Sequence, residues 1–402
     1  MPTARRLLSC AVAVAVLAAC GSGSRAAPAA PAAPASSAVT ASPPGTRAPV
    51  PPPSTVPPCT NASQVARWPL AQRAAQLVVV PALDGDVAAL GSAFTSGVGG
   101  VLLVGPTMPA DLAAQLAGAQ QAAATPLFVM TDQEGGGVQR LAGLVPSLPW
   151  PREMALTMTP AEVEAAAEGA GRAMRALGVN MDLAPVLDVD GGAGPNATDP
   201  DGYRSFSADP ATAATYGVAF VRGLMAAGVT PVVKHFPGLG GATGNTDNGP
   251  AATQSWPTVQ AVGLPPFRAA VRAGAPAVMV ANASVPGLSA QPASLSATVI
   301  GTELRQQLGF AGLVVTDSLS AGAVTGAGYN LATAAVAAVA AGADMVLFGS
   351  TLTPVQSPAN VITAAEQMTD ALATAVTTGS LPEARLDQAV LDILAAKHRS
   401  LC

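Results

Sequence analysis

A chain of 402 residues that is 50% apolar has enough material for a large buried core, so a wholly disordered protein is excluded. Charged residues make up 11% and aromatics 3%, and the net charge is −5, so no basic surface is available to hold a nucleic acid. No metal-ligand spacing or cofactor motif occurs, and neither a metal nor a cofactor is expected.

In chain order the first element is an export signal over residues 1–19. Arg5 and Arg6 precede the apolar run "LLSCAVAVAVLAA", which is too short to span a bilayer comfortably. The run "LAAC", ending at Cys20 and followed by Gly21 and Ser22, is similar to the lipobox of bacterial lipoproteins. It predicts cleavage before Cys20 and a lipid anchor on that residue, hence a membrane partner on the outer face of the cytoplasmic membrane. An ordinary secretory signal with a Cys at its cleavage site, and therefore a secreted protein, is the alternative. Residues 20–58 are mostly Ala, Pro, Ser and Thr, which cannot bury enough surface to offset their ordering entropy. They read as a tether extended by its prolines. Cys59 and Cys402 bracket what remains. In an oxidising compartment they can pair or stay as two thiols, and sequence alone does not set their separation.

Residues 59–402 form one domain in which apolar runs alternate with Ala-rich amphipathic stretches. The strand-like runs are 77–83, 101–105, 126–131, 179–186, 231–236, 277–282, 312–317 and 344–349. Each is apolar on both faces, as buried parallel strands are. The main helical stretches are 109–124, 160–177, 209–227, 330–341 and 360–379. Eight such units predict an α/β fold, a (β/α)8 TIM-type barrel. The rival is an open doubly wound sheet, weakened because no Gly-rich phosphate loop follows an early strand.

Polar residues fall at the ends of these runs. Asp132 and Glu134 follow the third, Asp182 and Asp188 lie in and after the fourth, and Lys234 and His235 end the fifth. Asn282 ends the sixth and Asp317 the seventh. In a barrel those ends share one face, where barrel enzymes build their active sites. Any one of these residues could be a strand-end turn residue; five strands behaving alike favours a common pocket.

The stretches "TDQEGGGVQR" (131–140), "NMDLAPVLDV" (180–189), "YRSFSADP" (203–210), "KHFPG" (234–238) and "VVTDSLSAGAV" (314–324) occur in order. Over about residues 65–395 the chain resembles glycoside hydrolase family 3, and within it the single-barrel β-N-acetylglucosaminidases. The resemblance implies an O-glycosyl hydrolase that removes terminal β-linked N-acetylglucosamine, or a related sugar, from cell-wall-derived saccharides; a monomer is expected. It implies that Asp317 is the carboxylate nucleophile and that Asp132, Arg204, Lys234 and His235 grip the sugar hydroxyls. A retaining glycosidase needs such a nucleophile and a second group that donates and then accepts a proton. Lys234 is expected to keep Asp317 ionised by lowering its pKa.

The loop after "KHFPG" departs from the family. Where the family has Asp-Ser-His, with the His as acid/base, this chain has Asn245-Thr246-Asp247; Leu239 replaces a second His, Gly137 an Arg, and Asn282 stands where relatives often have His. Two readings follow. Asp247 can itself be the acid/base, positioned by Asn245 on a Gly-rich loop expected to be mobile. Alternatively, catalysis is impaired and the protein is a saccharide-binding lipoprotein.

Overall fold

The computed structural model describes residues 59–196, 198–349 and 357–402. The export signal, Cys20 and the predicted tether lie outside the described residues.

Eight parallel strands make the sheet: β1 (Val78–Leu83), β2 (Gly100–Val104), β3 (Phe128–Thr131), β4 (Met181–Asp182), β5 (Thr230–Phe236), β6 (Ala277–Val280), β7 (Leu313–Thr316) and β8 (Val346–Leu347). Neighbours in sequence are neighbours in space, and β1 also pairs with β8 through Val78 and Val346. The Thr316 N–H donates to Met345 O (3.0 Å) and the Leu319 N–H to Leu347 O (2.8 Å), which closes the ring between β7 and β8. A closed parallel barrel is thus the outcome, and the open sheet is set aside.

Each predicted strand is present. The fourth is shorter as regular strand because Pro185 has no N–H to donate, yet its carbonyl still accepts from Lys234 N (3.1 Å) and the Leu187 N–H donates to Lys234 O (2.6 Å). The ladder therefore runs on to Leu187. The five predicted helices appear as α1 (Leu112–Ala122), α2 (Pro160–Leu177), α3 (Pro210–Ala226), α4 (Leu331–Ala341) and α5 (Pro358–Thr377). In α2, Val163, Ala167, Ala170, Gly171 and Met174 are buried, a spacing that puts one stripe against the barrel. Thr159 caps its start reciprocally with Glu162, and Gly178, at φ 97°, ends it in the left-handed conformation. The abundance of Ala and Gly lets helices approach closely: a Cβ on Gly223 would lie 2.2 Å from the Glu164 carbonyl oxygen. Among the described residues no helix is long and apolar enough to cross a membrane.

The N-terminal face of the barrel carries structure rather than chemistry. Asp344, fully buried, accepts from Arg305, Arg385 and the Val314 N–H. On the same face the final helix, Glu383–Ala396, ends where the Lys397 ammonium reaches Gly99 O (2.9 Å) just before β2. Here the domain's ends meet. Asn61 Nδ2 donates to Arg399 O (2.9 Å), and Cys59 and Cys402 form a disulfide with Cα atoms 5.9 Å apart across 343 positions. Closing so long a loop restricts the unfolded chain, and Cys402→Ser is expected to lower stability by about 2–4 kcal/mol. Urea denaturation with and without reductant measures this, and turnover should be unchanged because the bond is far from the opposite face.

Candidate active site

The C-terminal ends of the strands surround a cavity of about 240 Å³. Its lining includes Asp132, Glu134, Arg140, Arg204, Lys234, His235, Leu239, Asn245, Thr246, Asp247, Asp317 and Ser318. All six residues assigned catalytic or sugar-binding roles from sequence are therefore brought together, from five different strand ends and loops.

The floor is a ladder of alternating charge. Lys234 Nζ lies 2.6 Å from Asp132 Oδ1 and 2.6 Å from Glu134 Oε1. Arg204 grips Glu134 with both arms, Nε to Oε2 and Nη2 to Oε1, each 2.8 Å. The Glu134 side chain is 1% exposed and that of Asp132 18%, so Glu134 stands behind as the support while Asp132 faces the open cavity. Burial opposes ionisation of Glu134, but the Arg204 guanidinium and Lys234 ammonium outweigh it and hold the carboxyl well below the usual range. Lys234 in turn is raised: burial works against its charge, and Asp132 and Glu134 overcome it. Glu134→Gln would leave two buried cations short of a counter-charge and should cost about 3–5 kcal/mol. A fall in the urea midpoint together with a raised KM is the expected result; a loss under about 1 kcal/mol would refute the supporting role.

His235 is paired with Asp188, Nδ1 to Oδ2 at 2.6 Å, and Asp188 also accepts from the Leu239 N–H (2.6 Å). Burial first, then Arg204 and Lys234, push the imidazole down to about 4, so it enters the pocket neutral. A neutral ring suits hydrogen bonding to a hydroxyl.

Asp317 follows β7 and its Oδ1 accepts from the Ser318 N–H (2.6 Å). Lys234 does lower the pKa of Asp317, as expected, but it is outweighed, and the expectation that it sets the net shift needs correction. The net displacement is upward: burial raises it most, His235 opposes this, Asp247 adds to the rise, and the Ser318 N–H and Lys234 oppose it more weakly. The Lys234 ammonium makes its close contacts with Asp132 and Glu134, 2.6 Å from each, and is the last of the effects named on Asp317. The segment after Asp317 is fastened by Asn282, whose Nδ2 donates to Ser318 O (2.7 Å) while its Oδ1 accepts from Ser294 Oγ (2.6 Å).

The loop carrying Asp247 is tied to the segment after Asp317: Gly322 N donates to Asp247 O (3.0 Å) and Ala323 N to Thr246 O (2.9 Å). Asn245 acts on Asp247 through the main chain, its Oδ1 accepting from the Asp247 N–H (2.9 Å). The loop is thus anchored beside the segment that follows Asp317 rather than hanging over the barrel. Leu239 is 3% exposed and forms part of the wall.

Sequence reasoning left Glu134, Asp188 and Arg140 without roles, although all three sit inside the motifs quoted. Arg140 is held in place by its N–H bond to Asp132 O (3.0 Å). The signal was Glu134's position two residues beyond Asp132, but only the folded hairpin (Gln133–Gly135 with Val138–Gln139) shows that its side chain turns inward.

Two further carboxylates, Asp182 and Asp201, are fully buried, and burial raises each to about 8. A carboxyl that holds its proton more tightly when folded adds stability that is complete below about pH 4 and lost as pH rises through about 8. Stability should therefore decline between pH 5 and 8, and Asp201→Asn should flatten that decline in pH-dependent denaturation; an unchanged slope would contradict it.

A closed barrel with carboxylates in a polar pocket at its C-terminal face is an architecture on which glycoside hydrolysis can be built. The chain belongs to glycoside hydrolase family 3, whose model, the glycosyl hydrolase family 3 N-terminal domain, matches residues 72–396. Beta-hexosaminidase LpqI of Mycobacterium tuberculosis is 37% identical over 279 residues, 68% of this chain and 68% of that one. The solved structure of M. tuberculosis LpqI superposes with a TM-score of 0.74 at 33% identity, covering 84% of this chain and 96% of that one. The crystal structure of a beta-N-acetylhexosaminidase from Beutenbergia cavernae gives 0.74 at 33% identity, covering 83% and 100%. The chain is an O-glycosyl hydrolase by class.

Proposed function

We propose that the protein removes terminal β-linked N-acetylglucosamine from cell-wall-derived saccharides by a retaining mechanism. Asp317 attacks the anomeric carbon, Asp247 protonates the leaving oxygen and then deprotonates water, and Asp132, Arg204, Lys234 and His235 hold the sugar. One observation carries this reading: Asp247 and Asp317 line a single cavity with the charge ladder, and the charge of Asp247 raises the pKa of Asp317. Relatives named beta-hexosaminidase support the sugar. The lipobox-like "LAAC" supports a lipid anchor at Cys20 and a place in the cell envelope.

The test is release of p-nitrophenol from p-nitrophenyl β-N-acetylglucosaminide, with the anomeric outcome followed by proton NMR. Net retention is expected, and net inversion would overturn the nucleophile assignment. Binding of wall-derived saccharides without turnover would favour the saccharide-binding reading instead.

A further inference from the structure

Behind the pocket floor lies a group of side chains that sugar binding does not explain. Asp188, Asp201 and His235 each place one ligand atom so that all lie within 4.8 Å of one another. Asp188 and Asp201 are fully buried and His235 is 6% exposed, with only His235 reaching the cavity. Sequence does not signal the group, since its members come from three separate segments.

Asp201 is the unusual member. Neither of its carboxylate oxygens makes a hydrogen bond, although a buried carboxylate ordinarily finds several. Its closest cation is Arg204, with Nη1 3.7 Å from Oδ1, and that guanidinium already holds Glu134 bidentately. Asp188 has a different arrangement: Oδ1 is held by the Leu239 N–H, while Oδ2 is engaged only toward His235.

We propose that Asp188, Asp201 and a ring nitrogen of His235 form a binding site for one divalent transition-metal ion, with Zn2+ the best match. One imidazole and two carboxylates at bond lengths of about 2.0–2.2 Å are a familiar three-ligand zinc set, and a water completes it. Ligand atoms on such an ion are about 3.3 Å apart, so the group must contract, and Asp201 gives up no hydrogen bond in moving. The ion takes the place of the proton shared by Asp188 and His235 and of any proton on Asp201, and these are released to solvent. Magnesium and calcium fit poorly, because they call for more oxygen ligands and no imidazole.

Metal binding engages His235, so it should compete with the sugar; this consequence rests on the sugar-binding role of His235 proposed above. The site itself does not. Full-length protein with its disulfide intact is stripped with chelator, then dialysed against Zn2+, with Co2+ used for visible absorption. One ion per chain is expected, with a cobalt spectrum of low coordination number. Asp201→Asn should weaken binding at least tenfold, and His398→Gln, at the opposite face, should not alter it. Should Asp201→Asn not fold, Asp201→Leu replaces the unpaired carboxylate by an apolar group and serves the same comparison.

Absence of stoichiometric binding, or binding indifferent to both Asp201 variants in folded protein, would overturn the proposal. Competitive inhibition of aryl glycoside hydrolysis by Zn2+, relieved in Asp201→Asn, would support it further. Stoichiometric, Asp201-dependent binding in a protein that hydrolyses no hexosaminide would uphold the metal site and count only against the hydrolase reading.

Discussion

Asp317→Asn should reduce kcat/KM toward aryl β-N-acetylglucosaminides by on the order of 10⁴-fold or more, while leaving the affinity for N-acetylglucosamine within a few-fold of the parent. The reason is the separation of tasks in the pocket. Asp317 is fixed by the Ser318 N–H on the segment after β7, whereas the charge ladder of Asp132, Lys234, Glu134 and Arg204 is built on β3, its hairpin, β5 and the turn before α3. Removing the negative charge of Asp317 breaks no ion pair in that ladder. Stopped-flow release of the aryl group together with calorimetric titration of the free sugar separates the two quantities. Turnover retained within tenfold would remove Asp317 as the nucleophile. In the parent, the acid limb of kcat/KM should lie above the ordinary carboxylate range, because burial and Asp247 both raise Asp317.

Asp247→Asn should have a leaving-group signature. With poor leaving groups, which need protonation, the loss should be about 10²–10⁴-fold. With dinitrophenyl leaving groups, formation of the glycosyl-enzyme should be nearly unaffected and its hydrolysis slow. In Asp247→Ala, azide should restore turnover of the dinitrophenyl substrate and yield a β-glycosyl azide, since an anionic nucleophile attacks the intermediate without needing a base. The same substitutions remove one of the charges that raise Asp317, so the acid limb should move to lower pH. An unaltered leaving-group dependence, with no azide product, would remove Asp247 as acid/base. The main-chain bonds that fasten Thr246 and Asp247 to Ala323 and Gly322 do not depend on the substituted carboxyl, so the loop's position should survive.

The barrel was legible because its causes are local and repeated. Runs such as "LVVVPAL" and "GLVVTD" are apolar on both faces, a condition met by strands covered by helices on one side and barrel core on the other. Helix α2 was equally plain, since Thr159, Glu162 and Gly178 mark its ends within a few residues of chain. The polar strand ends of Asp132, Lys234, His235 and Asp317 also followed from sequence, once eight parallel strands fix which ends share a face.

Long-range electrostatics was not legible. That Lys234 pairs directly with Asp132 and Glu134 depends on distances of 2.6 Å between residues about a hundred positions apart, and Coulomb interactions are settled by such distances and by burial. Likewise, the sequence offered a Gly-rich loop and inferred mobility, whereas hydrogen bonds to Gly322 and Ala323 tie it down. By itself the sequence determined the class of fold, the order of the strands and the residue types at the pocket. Only the tertiary structure decided which carboxylate each cation neutralises and which carboxylates, Asp182 and Asp201 among them, are left to burial, because pairing and desolvation belong to the assembled pocket and to no single segment.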